Sequence, residues 1–111
     1  MIFLFCQHGD LAYKGETLSI IFKSKNFPRY QGTRSQLAVE EYNKVAQKHN
    51  ISLTQMSLAF VNMQPFVDSN IIGATKLDQL EENINSVHIE LSDEIIAEIN
   101  AIHENNPSPA P

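Results

Sequence analysis

Apolar positions along this chain change their period several times, and each change marks an element. Met1-Ile2-Phe3-Leu4-Phe5 is an unbroken apolar run, as expected of a strand buried on both faces. His8 to Glu16 carries two glycines and reads as loop. Thr17–Phe22 is apolar enough for a strand or a packed loop, and Lys23–Gly32, with Pro28, reads as irregular. The period then turns helical. Leu37, Ala38, Tyr42, Val45 and Ala46 predict a helix over Arg34–His49 with one apolar face. Lys48 and His49 fall in its last turn, where the helix dipole favours positive charge, and Asn50 suits the position just past its end.

Ser52-Leu53-Thr54-Gln55 spells a capping box. The helix it opens is expected to bury Met56, Ala59, Phe60 and Met63 and to stop at Pro65, because the residue before a proline is pushed out of the helical region. Asn70-Ile71-Ile72-Gly73-Ala74 predicts a short buried strand ending at a glycine. Thr75 is placed to cap the next helix, with Asp78 in its first turn. Leu77, Leu80, Ile84 and Val87 follow at helical spacing as an apolar stripe. A last helix opens at Ser92, with Asp93 and Glu94 in its first turn and Ile95, Ile96, Ile99 and Ile102 as its face. Leu91 and Ile96 are placed as a hydrophobic staple. Asn105–Pro111 is a proline-rich tail with no core signal, so the division expected is a domain over 1–104 and a tail over 105–111. The order is strand, loop, two helices, strand, two helices. It is an α/β pattern, and strands buried on both faces need neighbours that these elements do not supply.

Composition narrows the classes. Of 111 residues 42% are hydrophobic, enough for a core and too many for wholesale disorder. The net charge is −5, with Lys+Arg 8 against Asp+Glu 13 and no basic run. That balance argues against a general nucleic-acid binder, which needs a dense positive patch to displace counterions from phosphate. The single Cys6 makes no internal disulfide and excludes a four-cysteine zinc site, so a reducing, cytoplasmic setting is expected. The first six residues are too short and too uncharged for a signal peptide. No apolar run approaches the roughly 20 residues of a membrane-spanning helix, so no membrane partner is expected.

The strongest candidate chemistry lies where Ile72-Gly73-Ala74-Thr75 runs into the helix that follows. A strand ending in Gly-Ala turns tightly and leaves room, and a helix start offers N–H groups and partial positive charge to an anion. Lys76 adds a cation there. Gln79, Glu82 and Asn83, three or four residues apart on one side, have the hydrogen-bonding groups to read a ribose or an adenine edge. An ordinary strand–turn–helix connection with a solvated polar face has the same pattern. His88-Ile89-Glu90 spells the H-x-E of zinc deaminases without the partner P-C-x-x-C and reads as a link between two helices. His8, His49, His88 and His103 lack a metal-ligand spacing, so no metal is expected. Cys6 reads as packing, and the pairs Glu81/Glu82 and Asp93/Glu94 suit solvated faces and helix starts.

At this point the sequence resembles a known family. Gly73 to Ile84 is similar to the last βα segment of the aldo-keto reductases, in the pattern G-A-[ST]-x-x-x-Q-L-x-E-N. Leu53–Val61 with Gln64-Pro65 resembles the helix before that segment, and Glu90-Leu91-Ser92-Asp93-Glu94 the entry to the family's final helix. The ending Pro107 to Pro111 is similar to the bacterial, Tas-like branch. The resemblance covers about Phe27–Pro111. Upstream, Gly9-Asp10-Leu11-Ala12-Tyr13-Lys14-Gly15 is similar to a second cofactor loop, G-x-L-x-G-K-Y, but Tyr13 stands where the family has glycine and Gly15 where it has an aromatic residue.

The resemblance implies a C-terminal piece of a (β/α)₈ TIM barrel, namely the last two βα units plus the terminal helix. It implies NADP as cofactor, with Gly73, Ala74, Thr75, Lys76, Gln79, Glu82 and Asn83 at the 2′-phosphate and adenine end. The intact family reduces carbonyl substrates by hydride transfer from NADPH. Its catalytic Asp, Tyr, Lys and His belong to earlier strands that have no match here. Tyr13, Tyr30 and Tyr42 do not sit in that context. The expectation is therefore a part of the enzyme that has no catalytic residue and is silent alone, taking a carbonyl substrate only within an intact barrel. The alternative is a non-enzymatic interaction piece that self-associates or pairs with a chain supplying the missing strands. A helical binding domain unrelated to reductases is a third reading.

Overall fold

A computed structural model describes residues 32–74 and 76–108. The expected strand Met1–Phe5, the stretch 6–31 with the Gly9–Gly15 loop and Cys6, Thr75, and residues 109–111 lie outside the described residues. The described part is built of four helices: α1 (Thr33–Lys48), α2 (Leu53–Asn62), α3 (Leu77–Asn85) and α4 (Asp93–Asn105), with a 3-10 turn at Ser86–His88. There is no β-strand among the described residues.

Local chemistry explains the ends of these helices. Asn50 adopts the left-handed region at φ 56°, which asparagine tolerates better than most side chains. Its N–H then donates to Gln47 O at 3.2 Å, and Ile51 N–H donates to Ala46 O at 3.1 Å. Those two bonds are a Schellman stop for α1, and they turn the chain straight into α2. There the capping box closes in both directions: Gln55 N–H donates to Ser52 Oγ at 3.0 Å, and Ser52 N–H to Gln55 Oε1 at 3.3 Å. Ser92 caps α4 by accepting from Ile95 N–H, with Asp93 and Glu94 in the first turn as expected.

The core forms where α1, α2 and α4 meet. Val39, Val45, Ala46, Leu53, Met56, Ile95 and Ile99 are buried in one cluster, with Tyr42, Ile51, Phe60, Leu91 and Ile102 packed against it. Helix α2 is the most deeply buried element, with seven of its ten residues buried. Beyond the core, Arg34 Nη2 donates to Asn106 Oδ1 and Asn106 Nδ2 donates to Arg34 O, both at 3.1 Å. The segment after α4 is therefore tied to the start of α1, although its sequence carries no core signal.

Several expectations are corrected. Asn70–Ala74 forms no strand, because a strand needs a neighbour for its N–H and C=O groups and the described residues provide none. Leu37 and Met63 are exposed, whereas Val39 and Ser35 turn inward. The largest departure is α3. Its cap is Lys76 rather than Thr75. Its apolar stripe faces water, with Leu77 84%, Ile84 55% and Val87 64% exposed, while Asn83 and Ser86 are buried. The period of that helix was legible. The side it presents to its neighbours was not, because α3 meets α2 through hydrogen bonds rather than apolar packing.

One charged cluster ties α1 to α4. Lys48 Nζ reaches Glu94 at 3.0 Å and Glu98 at 2.7 Å, and His49 Nε2 lies 3.1 Å from Glu98. Hydrogen bonds from Lys48 first and His49 second hold the Glu98 carboxyl below its ordinary 4.5. Bonds to Glu98 and then Glu94 hold Lys48 above its ordinary 10.5. Lys48 and Glu94 are exposed, with Glu98 and His49 half-buried, so the outer part of the cluster is open to screening by salt.

Two outcomes follow from this packing. Met56→Ala should lower the unfolding free energy by about 2–5 kcal/mol, whereas Leu77→Ser should change it by less than about 0.5 kcal/mol; urea denaturation checks both. The cluster's stabilisation should be present above pH 4.5 and fade as pH falls through the lowered Glu98 value. At the alkaline end it should fade as pH rises through the raised Lys48 value. Glu98→Gln should flatten the acid limb of the melting-temperature profile, as should high salt.

Candidate functional site

The candidate residues gather at the start of α3 and along its inner side. The chain leaves α2 at Asn62, turns through Gln64–Val67, and passes through the irregular segment Asn70–Ala74 before α3 begins. Gln64 Nε2 donates to Phe60 O at 2.9 Å, which closes the end of α2. Three side-chain amides then bind the irregular segment to the helices. Asn70 Nδ2 donates to Asn62 Oδ1, and Asn62 Nδ2 donates to Ser86 Oγ, each at 3.4 Å. Asn83 Nδ2 donates to Gly73 O at 3.3 Å. Ser86 Oγ in turn donates to Asn83 O at 2.6 Å, which tightens the exit from α3.

The predicted residues divide by role. Gly73 and Ala74 are exposed at the end of the irregular segment, and Gly73 offers its carbonyl to Asn83. Thr75 lies outside the described residues. Lys76 is the exposed N-cap of α3, and its N–H donates to Gln79 Oε1 at 3.2 Å. Lysine has no acceptor, so only this half of a capping box forms. Gln79 and Glu82 are half-buried and Asn83 is buried. Lys76, Gln79, Glu82 and Asn83 thus follow one another over about two turns of helix, running from the exposed cation to the buried amide.

Two of these side chains are committed to neighbours. Glu82 accepts a hydrogen bond from the hydroxyl of Ser52, the residue that caps α2. Asn83 donates to Gly73, yet its Oδ1 is buried and has no hydrogen-bond partner among the described residues. A buried amide oxygen left unpaired costs about 1–3 kcal/mol, so this atom is an acceptor waiting for a donor. Thr54 Oγ1 in α2 is in the same condition.

The arrangement has the parts for one kind of ligand. A helix start supplies N–H groups and partial positive charge, which favour phosphate, and Lys76 adds a full charge beside it. Asp78 in the first turn is exposed and works against a second anion. One turn further, a half-buried amide, a carboxylate and an unpaired carbonyl oxygen form a polar strip able to hydrogen-bond a heterocycle's edge.

The other concentrations of chemistry lie elsewhere. A cleft of about 330 Å³ opens between α2, the Gln64–Val67 turn and α4, lined by Tyr42, Phe60, Phe66 and Ile99 with Gln64 and His103. No candidate residue borders it. Burial first, and the Glu41 carboxylate second, push the Tyr42 hydroxyl above its ordinary 10.0. That is the wrong direction for shuttling a proton near neutral pH. His49, Glu94 and Glu98 bring ligand atoms within 4.8 Å of one another, a juxtaposition that sequence reading missed because it joins residues 45 or more positions apart. Lys48 already sits on both carboxylates. His88 belongs to the 3-10 turn and Ile89-Glu90 to the link into α4, in keeping with their reading as a connection. No described helix is long and apolar enough to cross a membrane.

Comparison with known proteins gives a consistent set of relatives. The family model of the Aldo/keto reductase family matches residues 7–104. Protein tas of Escherichia coli (strain K12) is 49% identical over 85 residues, which is 77% of this chain and 25% of that protein. An aldo-keto reductase of Babesia bovis is 33% identical over 78 residues, 68% of this chain and 27% of its own. Aldo-keto reductase str7 of Strobilurus tenacellus is 31% identical over 88 residues, 79% of this chain and 25% of its own. The chain therefore spans about a quarter of the length of the relatives it matches.

The amide clamp on the irregular segment is directly testable. Asn83→Ala removes one bond that is made and one oxygen that is unpaired, so global stability should fall by only about 1 kcal/mol or less. Limited proteolysis within Asn70–Ala74 should nevertheless become several times faster, because Gly73 loses its anchor. Unchanged cleavage would show that the clamp holds nothing.

Proposed function

The chain belongs to the aldo/keto reductase family, and we propose that it is the C-terminal, nucleotide-holding portion of an NADP-dependent member. Membership implies a (β/α)₈ barrel and a nicotinamide cofactor. Within that frame the assigned roles are these. The Gly73-Ala74 turn gives the pyrophosphate side room, Thr75 and Lys76 hold the 2′-phosphate at the start of α3, and Gln79, Glu82 and Asn83 meet the adenosine. The bound dinucleotide would supply the hydride in the intact enzyme. This chain's own residues bind and orient its far end.

One observation carries the reading. The buried Asn83 Oδ1 lacks a donor on the same side of α3 as Gln79 and Glu82, below a helix start that carries Lys76. A phosphate at the helix start and an amino group about two turns below would satisfy both ends of that strip. The residues present thus fit the nucleotide end of the cofactor. No role at the reacting end of the cofactor is assigned to the described residues, since the family's catalytic residues belong to earlier strands.

A second reading has its own observation. Leu77, Ile84, Val87 and Ile71 are all more than half exposed on and beside α3. Large apolar side chains exposed in this number suit a contact, and the remaining barrel elements, supplied by another chain, would cover them. On this reading the chain complements a partner or associates with itself.

The pure chain should oxidise no NADPH with a panel of aldehydes and ketones, and turnover would overturn the assignment of the chemistry to other strands. NADP⁺ titration by calorimetry should show weak saturable binding that Lys76→Ala lowers about fivefold or more. Indifference to that change and to Gln79→Ala would favour an unrelated helical domain. Sedimentation separates the second reading: a well-folded monomer at all concentrations, unaltered by Ile84→Glu, counts against it.

A further inference from the structure

The histidines have no ligand spacing in sequence, but the fold brings one of them to two carboxylates. His49, Glu94 and Glu98 place a ring nitrogen and two carboxylate oxygens within 4.8 Å of one another. Glu94 and Glu98 stand four residues apart on one side of α4. His49 is the C-cap of α1, and its N–H is bonded to Val45 O and Ala46 O at 3.2 Å each. Both backbones are therefore fixed before any ion arrives, and only side chains need to adjust. His49 Nε2 already lies 3.1 Å from Glu98 Oε1. Ligand atoms about 2.0–2.2 Å from a tetrahedral zinc ion lie about 3.3–3.6 Å from each other, so this pair stands near the spacing required. Glu94 is exposed and has room to move in.

We propose that His49, Glu94 and Glu98 bind a divalent transition-metal ion of the zinc type, with Lys48 as the resident cation that the metal displaces. The position of Lys48 is the independent sign that a cation belongs there. Its ammonium lies 2.7 Å from Glu98 and 3.0 Å from Glu94, on the two carboxylates that would ligate the metal. One ammonium leaves the carboxylate pair with a net charge of minus one, whereas a dication neutralises it. Lys48 is more than half exposed on a flexible stem, so its ammonium can return to water still protonated while the neutral imidazole of His49 takes the metal. A nitrogen beside two oxygens selects the class of ion. Calcium and magnesium prefer oxygen ligands throughout, and imidazole suits zinc and its neighbours. Water fills the fourth position. The bound ion would join the end of α1 to the first turns of α4, the two helices that close the apolar core over α2. This inference is independent of the nucleotide reading.

The test is Zn²⁺ titration of the full chain by calorimetry, after chelator treatment, with the thermal midpoint as a second readout. Zn²⁺ should bind saturably and raise the midpoint by a few degrees, whereas Mg²⁺ and Ca²⁺ should leave it unmoved. Glu98→Gln keeps the shape of the side chain and should weaken Zn²⁺ about tenfold or more, as should His49→Ala; circular dichroism checks that both variants fold. His88→Ala, away from the cluster, should change nothing. Lys48→Met removes the competing cation and should tighten Zn²⁺ about threefold or more. A parent chain with no saturable binding would overturn the site and leave an ion-pair cluster only. Binding that survives both Glu98→Gln and His49→Ala would place the metal elsewhere and overturn it equally. Affinity unchanged in Lys48→Met would overturn the exchange of one cation for the other.

Discussion

Helix α2 has almost no side to give to water, and the rest of the described structure is arranged by what covers it. Met56 and Leu58 are fully enclosed, Ala59 and Val61 nearly so, and Thr54 and Ser57 are buried among them. A helix apolar around most of its circumference must be an inner layer. Helix α1 packs on it through Val45 and Ala46, with α4 adding Ile95 and Ile99 to the same cluster. Helix α3 and the 3-10 turn take other parts of its surface. The Schellman stop at Asn50 and the capping box at Ser52 are therefore more than punctuation. They fix the angle at which α2 enters the middle of the structure.

The two groups of neighbours cover α2 by different physics. Toward α1 and α4 the contact is apolar, closed at its rim by ionic and amide bonds: Lys48 and His49 with Glu94 and Glu98, and Arg34 with Asn106. Toward α3 it is polar. Ser52 meets Glu82 and Asn62 meets Ser86, while Asn83 ties down Gly73 behind them. A polar seam gains little net stability per bond but fixes geometry, since each unmade bond would leave a buried group unsatisfied. That seam turns the apolar stripe of α3 outward. The same rotation brings Gln79, Glu82 and Asn83 into one strip, so the exposed leucine stripe and the candidate nucleotide strip are two consequences of one helix orientation.

Charge follows the same division. The described residues are strongly acidic, and their four cations are spread out: Arg34 at the start of α1, Lys44 along it, Lys48 within a carboxylate pair, and Lys76 at the start of α3. Lys48 is neutralised by two glutamates, whereas Lys76 caps a helix whose own backbone adds positive potential.

The sequence by itself determined the helices and their ends. Arg34–His49 against the observed Thr33–Lys48, the Ser52 capping box, Asn50 beyond α1 and Ser92 opening α4 all rest on local rules, in which a residue's own backbone preference and its bonds within a few positions decide the outcome. The motif from Gly73 to Ile84 likewise sufficed to indicate the family. Tertiary structure alone decided which faces point inward. Leu77, Ile84 and Val87 are spaced like a core stripe, yet they are exposed, and Asn83 and Ser86 are buried in their place. Asn70–Ala74 is composed like a strand, yet it finds no strand partner among the described residues. Periodicity reports that a helix has two unlike sides, and composition reports that a segment would accept a ladder. Whether either is used depends on partners distant in sequence: Ser52 for Glu82, Glu98 for Lys48, and a neighbouring strand for Ile71. No local preference encodes those.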